Sequence, residues 1–182
     1  MSRMVIIDRD GVINQDSDSY IKSADEWIPI SGSLEAISRL KKAGYLVTVA
    51  SNQSGLARGF YSEETLKQIH DKMKQMLAVR GASVDGIFYC PHGPEANCVC
   101  RKPKPGLLIQ IAHQFDIDLS VTPFVGDSIS DIQAAQMANA LPVLVRTGKG
   151  EHVMQHYPEA VDVPVYDDLA HFVRDTLKKN AS

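Results

Sequence analysis

Asp8 and Asp10 stand two residues apart in IIDRDG, directly after an apolar run. In an extended chain that spacing puts both carboxylates on one side, and two acids at the end of a buried strand are costly unless a cation meets them. Other polar groups occupy comparable positions. SNQ (51–53) offers the Ser51 hydroxyl and the Asn52 and Gln53 amides to an oxyanion, and GDSISD (126–131) adds Asp127 and Asp131 behind a glycine that lets backbone approach closely. RKPKP (101–105) brings Arg101, Lys102 and Lys104. Acids for a divalent metal, neutral donors and a lysine suit phosphoryl transfer through an aspartyl-phosphate. A carboxylate approaching a phosphate dianion to about 4 Å meets repulsion of roughly 8 kcal/mol at an effective dielectric near 20. A Mg²⁺ on hard oxygen ligands, together with an ammonium, supplies opposite charge of comparable size. Asp8 is then the nucleophile, with Asp8, Asp127 and the backbone carbonyl of Asp10 around the metal. The Asp10 side chain is left to protonate the leaving alkoxide and later to take a proton from water.

A second constellation lies apart from the acids. All three cysteines fall within CPHGPEANCVC (90–100), and Cys90, His92, Cys98 and Cys100 give C-x-H-x5-C-x-C. These are the ligand types zinc prefers, and four of them close a tetrahedral site with no position left for water, which predicts a structural Zn²⁺. Arg101 and Lys102 follow the last thiol directly, so a metal that orders this Gly-, Pro- and Asn-containing loop also places both cations.

The elements that must carry these groups alternate. MVIID (4–8), YLVTVAS (45–51), GIFYC (86–90), TPFVGD (122–127) and LPVLVR (141–146) read as buried strands. SLEAISRLKKAG (33–44) reads as a helix with Leu34, Ile37 and Leu40 on one face and Gly44 as its stop. SEETLKQIHDKMKQMLAVRG (62–81) reads as a second, capped by Ser62, with Leu66, Ile69, Met73, Met76 and Leu77 inward and His70 on the ordinary helix surface. Further helices are expected at 105–115, 129–139 and 166–179. This order predicts an α/β fold, a doubly wound, mostly parallel sheet with helices on both faces and ligands outside the carboxyl ends of the strands. Length is consistent with one domain over 1–182, carrying the zinc loop at 90–100.

Composition narrows the partners. A net charge of −3 disfavours a nucleic-acid binder, so an anionic ligand needs a local cation cluster. No apolar run approaches the roughly 18 residues that span a bilayer, and MSRMVIIDRDG lacks the apolar core of a secretory signal, so the expected location is the cytoplasm.

DxDG after a strand, Ser51 at the end of the next, Lys102 in a KPxP context and GDxxxD together resemble the haloacid dehalogenase superfamily of phosphotransferases over most of the chain. By that resemblance Asp8 is the nucleophile, Asp10 the acid and base, Ser51 a phosphate ligand, Lys102 the stabilising lysine and Asp127 a Mg²⁺ ligand. DRDGVIN, DSDSYIKSADEWIPISGSLEAI, SNQSGLARG, CPH…CVCRKPKPG and GDSISDIQAA further resemble the subgroup of heptose-bisphosphate and histidinol-phosphate phosphatases. The helix-sized stretch 62–81 is too short to be the large cap of many superfamily members, so specificity is expected to come from loops. The resemblance implies a sugar bisphosphate hydrolysed at C7, in ADP-heptose and lipopolysaccharide synthesis, by a monomer. It also implies contact with substrate from Asp16, Ser19, Tyr20, Asn52, Gln53, Ser54 and Arg101. Arg58, flanked by glycine near SNQSG, is a further candidate. Asp131 is either a metal-site residue or an acid favoured by the helix dipole, and Lys104 is expected to be solvated.

Histidinol phosphate is the alternative substrate, since it requires only different loops. A receiver-like signalling domain shares the sheet, the metal-binding acids and the phospho-Asp. It lacks a proton-transfer group two residues beyond the phosphoacceptor and a zinc loop, so Asp10 and Cys90–Cys100 disfavour it. A zinc-ribbon nucleic-acid module is disfavoured by the net charge.

Overall fold

The first apolar run forms strand β1 (Met4–Ile7), whose four residues are all buried. It lies at the centre of the sheet, paired in parallel with β2 (Leu46–Asn52) on one side and β4 (Pro123–Gly126) on the other. Beyond β2 lies β3 (Gly86–Cys90), and beyond β4 lie β5 (Leu141–Val145) and the two-residue β6 (Val165–Tyr166). All five pairings are parallel, in the order β3-β2-β1-β4-β5-β6. The computed structural model describes residues 3–157 and 162–179, so the outermost residues of the expected 1–182 domain lie outside it.

Alternation along β1 assigns the two faces. Val5 and Ile7 pack with Leu34, Ile37 and Leu40 of α1 (Ser33–Lys42), with Ile69, Met73 and Leu77 of α2 (Glu63–Ala78), and with Leu169, Phe172 and Val173 of α6 (Leu169–Lys179). Met4 and Ile6 pack with Leu107, Leu108 and Ile111 of α3 (Gly106–Phe115) and with Ala134 and Ala135 of α4 (Ile129–Met137). The short α5 (Gly150–His156) adds Val153 against Leu144 and Ile132. The sheet is therefore covered on both faces, as expected, and α2 is the one α-helix between β2 and β3, with no large cap.

Among the described residues, one strand and one α-helix were not predicted. A two-residue β6 is too short to show a period, and α5 carries a single well-buried apolar side chain, so neither leaves a sequence signal. The helix expected at 166–179 begins at Leu169, because Val165 and Tyr166 extend the sheet. Ser62 caps α2 as predicted, accepting from the Thr65 amide at 3.1 Å.

The chain winds outward from β1 to β3 and then crosses back to β4, so strand order reverses between β1 and β4. A crevice at such a switch point is where open parallel sheets hold ligands. Asp8 follows β1 and Asp127 follows β4, which sets both carboxylates at the mouth of that crevice.

Candidate active site

Asp8 is buried and fixed from one side only. Its Oδ1 accepts from the Arg9 amide at 2.7 Å and meets Lys102 Nζ at 3.0 Å, while Oδ2 has no protein donor among the described residues. The Lys102 ammonium donates to the Ala50 carbonyl at 2.9 Å and forms ion pairs with Asp8 and with Asp131 Oδ1 at 2.7 Å. Asn52 clamps the Lys102 backbone in both directions, accepting from its amide and donating to its carbonyl at 3.0 Å each. Lys102 is thus the lysine at the carboxylates, and Lys104 turns away to Asn97, at 2.6 Å from its side-chain oxygen.

The role of Asp131 follows from its partners. Oδ2 accepts from the Asp127 amide, the Ser128 amide and the Ser128 hydroxyl, closing a capping box at the start of α4, and Oδ1 faces Lys102. Both oxygens are engaged, so Asp131 anchors the lysine and the helix. Asp127 is held differently: Oδ2 accepts from the Lys149 amide at 2.8 Å, and glycines crowd it from two sides. A Cβ at Gly11 or at Gly148 would lie about 2 Å from Oδ2, and both residues have positive φ, at 82° and 57°, so neither position admits a side chain. The Thr147 hydroxyl donates to the Gly11 carbonyl at 2.7 Å and locks the two loops together.

Charge at this end of the sheet is unbalanced. Asp8, Asp127 and Asp131 bring carboxylate oxygens within 4.8 Å of one another, and Lys102 is the one cation in contact with them among the described residues. Burial pushes the Asp8 carboxyl up to about 7, with Asp131 and Asp10 adding to the rise and Lys102 opposing it. Burial, Asp131 and Asp8 likewise raise Asp127 well above the usual carboxylate range. Three acids against one ammonium leave two negative charges, and the unengaged Asp8 Oδ2 and Asp127 Oδ1 are hard oxygen donors. That donor set fits a divalent cation such as Mg²⁺.

Asp10 is in a different environment. Its Oδ1 accepts from Arg9 Nε and Asn14 Nδ2, and its Oδ2 from Arg9 Nη2 and Gln53 Nε2, at 2.9 to 3.0 Å. Burial alone would raise this carboxyl, but Arg9, Asn14 and Gln53 hold it below its ordinary value. Arg9 is 1% exposed and also reaches His70 Nε2 and Gln53 Oε1, both at 3.2 Å. His70 is therefore not a surface residue. It is buried against Arg9, where burial and the guanidinium push its pKa down to about 3. An amphipathic pattern cannot mark such a position, because a polar residue on the inner face of a helix looks like one on its border. Tyr61 completes the group by donating to Gln53 Oε1 at 2.6 Å.

A crevice of about 320 Å³ opens above these groups, lined by Asp8, Asp10, Ser51, Lys102 and Asp127 at its floor. Asp16, Tyr20, Asn52, Gln53, Ser54 and Arg101 line its walls. Ser19 and Arg58 do not line it, and both are exposed. Ser19 lies in a loop whose neighbour Tyr20 takes a positive φ of 65° and turns its ring into the crevice and against Phe60. Three contributors were not foreseen. Arg9 sits between the two motif acids, Tyr61 lies beyond the glycines, and Thr147–Lys149 form the loop after β5, with Lys149 Nζ 3.3 Å from Asp16. The strand-end rule that located the other groups would also have pointed to that loop.

The four zinc-type ligands are together. Cys90 Sγ lies 3.5 Å from His92 Nδ1, 3.5 Å from Cys98 Sγ and 3.1 Å from Cys100 Sγ, and the Cys100 thiol is 3.4 Å from His92 and 3.5 Å from Cys98. Ligands about 2.3 Å from a tetrahedral centre stand roughly 3.8 Å apart, so a small inward ion would need only slight expansion. Arg101 Nη1 donates to the His92 carbonyl at 3.2 Å, which ties the crevice wall to the cluster.

The comparisons agree with this geometry. The Hydrolase-like family model, described as HAD-hydrolase-like, matches residues 99–172. A D-glycero-β-D-manno-heptose-1,7-bisphosphate 7-phosphatase of Pseudomonas putida is 50% identical over 96% of this chain and 99% of its own. That of Pseudomonas aeruginosa is 53% identical over 93% and 96%. The crystal structure of D,D-heptose 1,7-bisphosphate phosphatase from B. bronchiseptica, complexed with magnesium and phosphate, superposes with a TM-score of 0.95 at 49% identity, covering 97% of this chain and 99% of that one. The chain belongs to the haloacid dehalogenase-like hydrolases, in the branch of the heptose-bisphosphate phosphatases, and is a phosphoric monoester hydrolase.

Proposed function

We propose that the protein removes the C7 phosphate of D-glycero-β-D-manno-heptose 1,7-bisphosphate through a phosphorylated Asp8. The observation that carries the mechanism is the asymmetry of that carboxylate, with Oδ1 held by Lys102 and a backbone amide and Oδ2 open beside Asp127. The substrate reading rests on relatives that bear this activity in their names and match nearly the whole chain.

Mg²⁺ fits the acids, with Asp8, Asp127 and the Asp10 carbonyl as its protein ligands, and supplies charge neutralisation when bound. Lys102 offsets charge on the transferring phosphate, and the Ser51 hydroxyl donates to one of its oxygens. As Asp8 Oδ2 bonds to phosphorus and the ester bond breaks, the Asp10 carboxyl, which takes up a proton against the pull of Arg9, Asn14 and Gln53, passes it to the departing C7 oxygen. In the second step the Asp10 carboxylate takes a proton from water while the water oxygen bonds to phosphorus and the Asp8–phosphorus bond breaks. Asp10 returns to its acid form and Asp8 to its carboxylate. Arg101, Asp16, Tyr20, Asn52, Gln53 and Ser54 line the crevice in which the heptose and its remaining phosphate would sit. Cys90, His92, Cys98 and Cys100 would hold a structural Zn²⁺, which would order the Arg101–Lys102 segment that follows them. The place implied is ADP-heptose synthesis, in the cytoplasm, by a monomer. Among the described residues no helix is long and apolar enough to cross a membrane.

Phosphate release from heptose 1,7-bisphosphate and from histidinol phosphate, each with Mg²⁺ and with EDTA, tests the reading. A kcat/KM at least 100-fold higher for the heptose, abolished by EDTA, is the expected result; preference for histidinol phosphate or EDTA-resistant turnover overturns it.

A further inference from the structure

Arg9 is the least explained charge in the molecule. It is 1% exposed, flanked by the two motif acids, and its guanidinium is engaged on every side. A buried ion pair contributes little net stability compared with apolar residues of similar volume, so charge neutralisation alone does not account for it. Its geometry does more. Nε and Nη2 form a fork on Asp10, one nitrogen to each carboxylate oxygen at 3.0 Å, which fixes the plane of the carboxylate as a single ammonium could not. The remaining nitrogen is fixed in turn, because Nη1 bonds His70 Nε2, and Nη2 also meets Gln53 Oε1. Gln53 then donates from Nε2 both to Asp10 Oδ2 and to the Ser51 hydroxyl at 2.7 Å, and Tyr61 holds its other end. The chain of contacts runs from helix α2, through the guanidinium, to the proton-transfer carboxylate and a phosphate-facing hydroxyl.

We infer that Arg9, seated by His70, is the positioning residue that aims the Asp10 carboxyl at the ester oxygen. The inference rests on the reading of Asp10 as general acid and base given above. Proton transfer requires hydrogen-bond distance to the leaving oxygen, and a displacement of about 1 Å can cost on the order of 100-fold in rate. Arg9 does not touch the substrate; it acts through Asp10.

The test is the dependence of kcat/KM on the leaving group, measured with Mg²⁺ on the alkyl heptose bisphosphate and on 4-nitrophenyl phosphate. The alkoxide needs a proton as it departs and the nitrophenolate does not, so a misplaced acid lowers the first more than the second. Asp10→Asn sets the scale. Arg9→Met is expected to lower the alkyl-to-aryl ratio by about 10- to 100-fold, a large part of the roughly 10²- to 10⁴-fold that general acid–base catalysis supplies. Arg9→Lys keeps the charge but not the fork, and is expected to leave most of that loss in place. His70→Leu keeps the fork on Asp10 and removes its seat, so the ratio shifts in the same direction by less, and this variant serves where an Arg9 substitution does not fold. Equal losses on both esters in folded Arg9→Met, full rescue by Arg9→Lys, or an unchanged ratio in His70→Leu overturns the role of Arg9. Those outcomes are separate from failure of the underlying reading, which appears as Asp10→Asn affecting both esters alike.

Discussion

Single atoms decide the chemistry at the residue scale. One oxygen of Asp8 is committed to Lys102 and an amide while the other is open, so Asp8→Asn should abolish turnover and leave the protein folded. Phosphate release and thermal unfolding, run side by side, check it. His70 gives a pH prediction. Its folded pKa is pushed down to about 3, below the ordinary 6.5, by burial, Arg9 and Lys74 against the weaker pull of Asp10 and Asp71. The unfolded chain therefore binds a proton first as pH falls. The stability that neutral His70 contributes is fully present above about pH 6.5 and is lost progressively toward pH 3. Denaturation midpoints at pH 7.5, 6 and 5 should fall less steeply in His70→Gln than in the natural protein. Most of the floor of the crevice was legible, because acids at strand ends have no cheap apolar reading. Arg9 and His70 were not, since a charge buried by its neighbours has the same letter as a charge in water.

Loops carry the specificity at the scale of elements. The loop after β5 was missed although it holds Asp127 through an amide and a glycine. TGKG resembles any turn, and its task appears only once Thr147 is seen on Gly11. Gly148→Ala places a Cβ about 2 Å from Asp127 Oδ2 at a φ of 57°. It should cost about 2 kcal/mol or more in stability and weaken Mg²⁺ dependence, read as a higher metal concentration for half-maximal activity. The clustering of the cysteine loop was legible, since three thiols and an imidazole in eleven residues leave few other readings. Cys100→Ala should lower the melting temperature and raise KM more than it lowers kcat, because Arg101 and Lys102 follow that thiol. Elemental analysis of the purified protein should find about one zinc per chain in the parent and a reduced content in the variant.

At the scale of the whole molecule, stability and chemistry separate across the sheet. The carboxyl ends of β1, β2, β4 and β5 build the site, while α1, α2 and α6 bury the largest core on one face, with Phe172 in it. Phe172→Ala should cost about 3 to 5 kcal/mol and leave kcat/KM unchanged at temperatures where the variant is folded, as denaturation and assay together would show. The doubly wound order was legible from alternation alone; the added edge strand β6 was not, for want of length. The position of β1 has a further consequence during synthesis. It is made first yet needs neighbours on both sides, and β4 begins only at residue 123. The Thr147–Gly11 tie spans 136 residues of sequence. A growing chain therefore carries this buried apolar strand half-paired, and its clustered carboxylates unassembled, until residues 123–131 have left the ribosome. Intermediates with such exposed edges are aggregation-prone, and a helper that shields a nascent β1 would matter more here than for a protein whose central strand is made last.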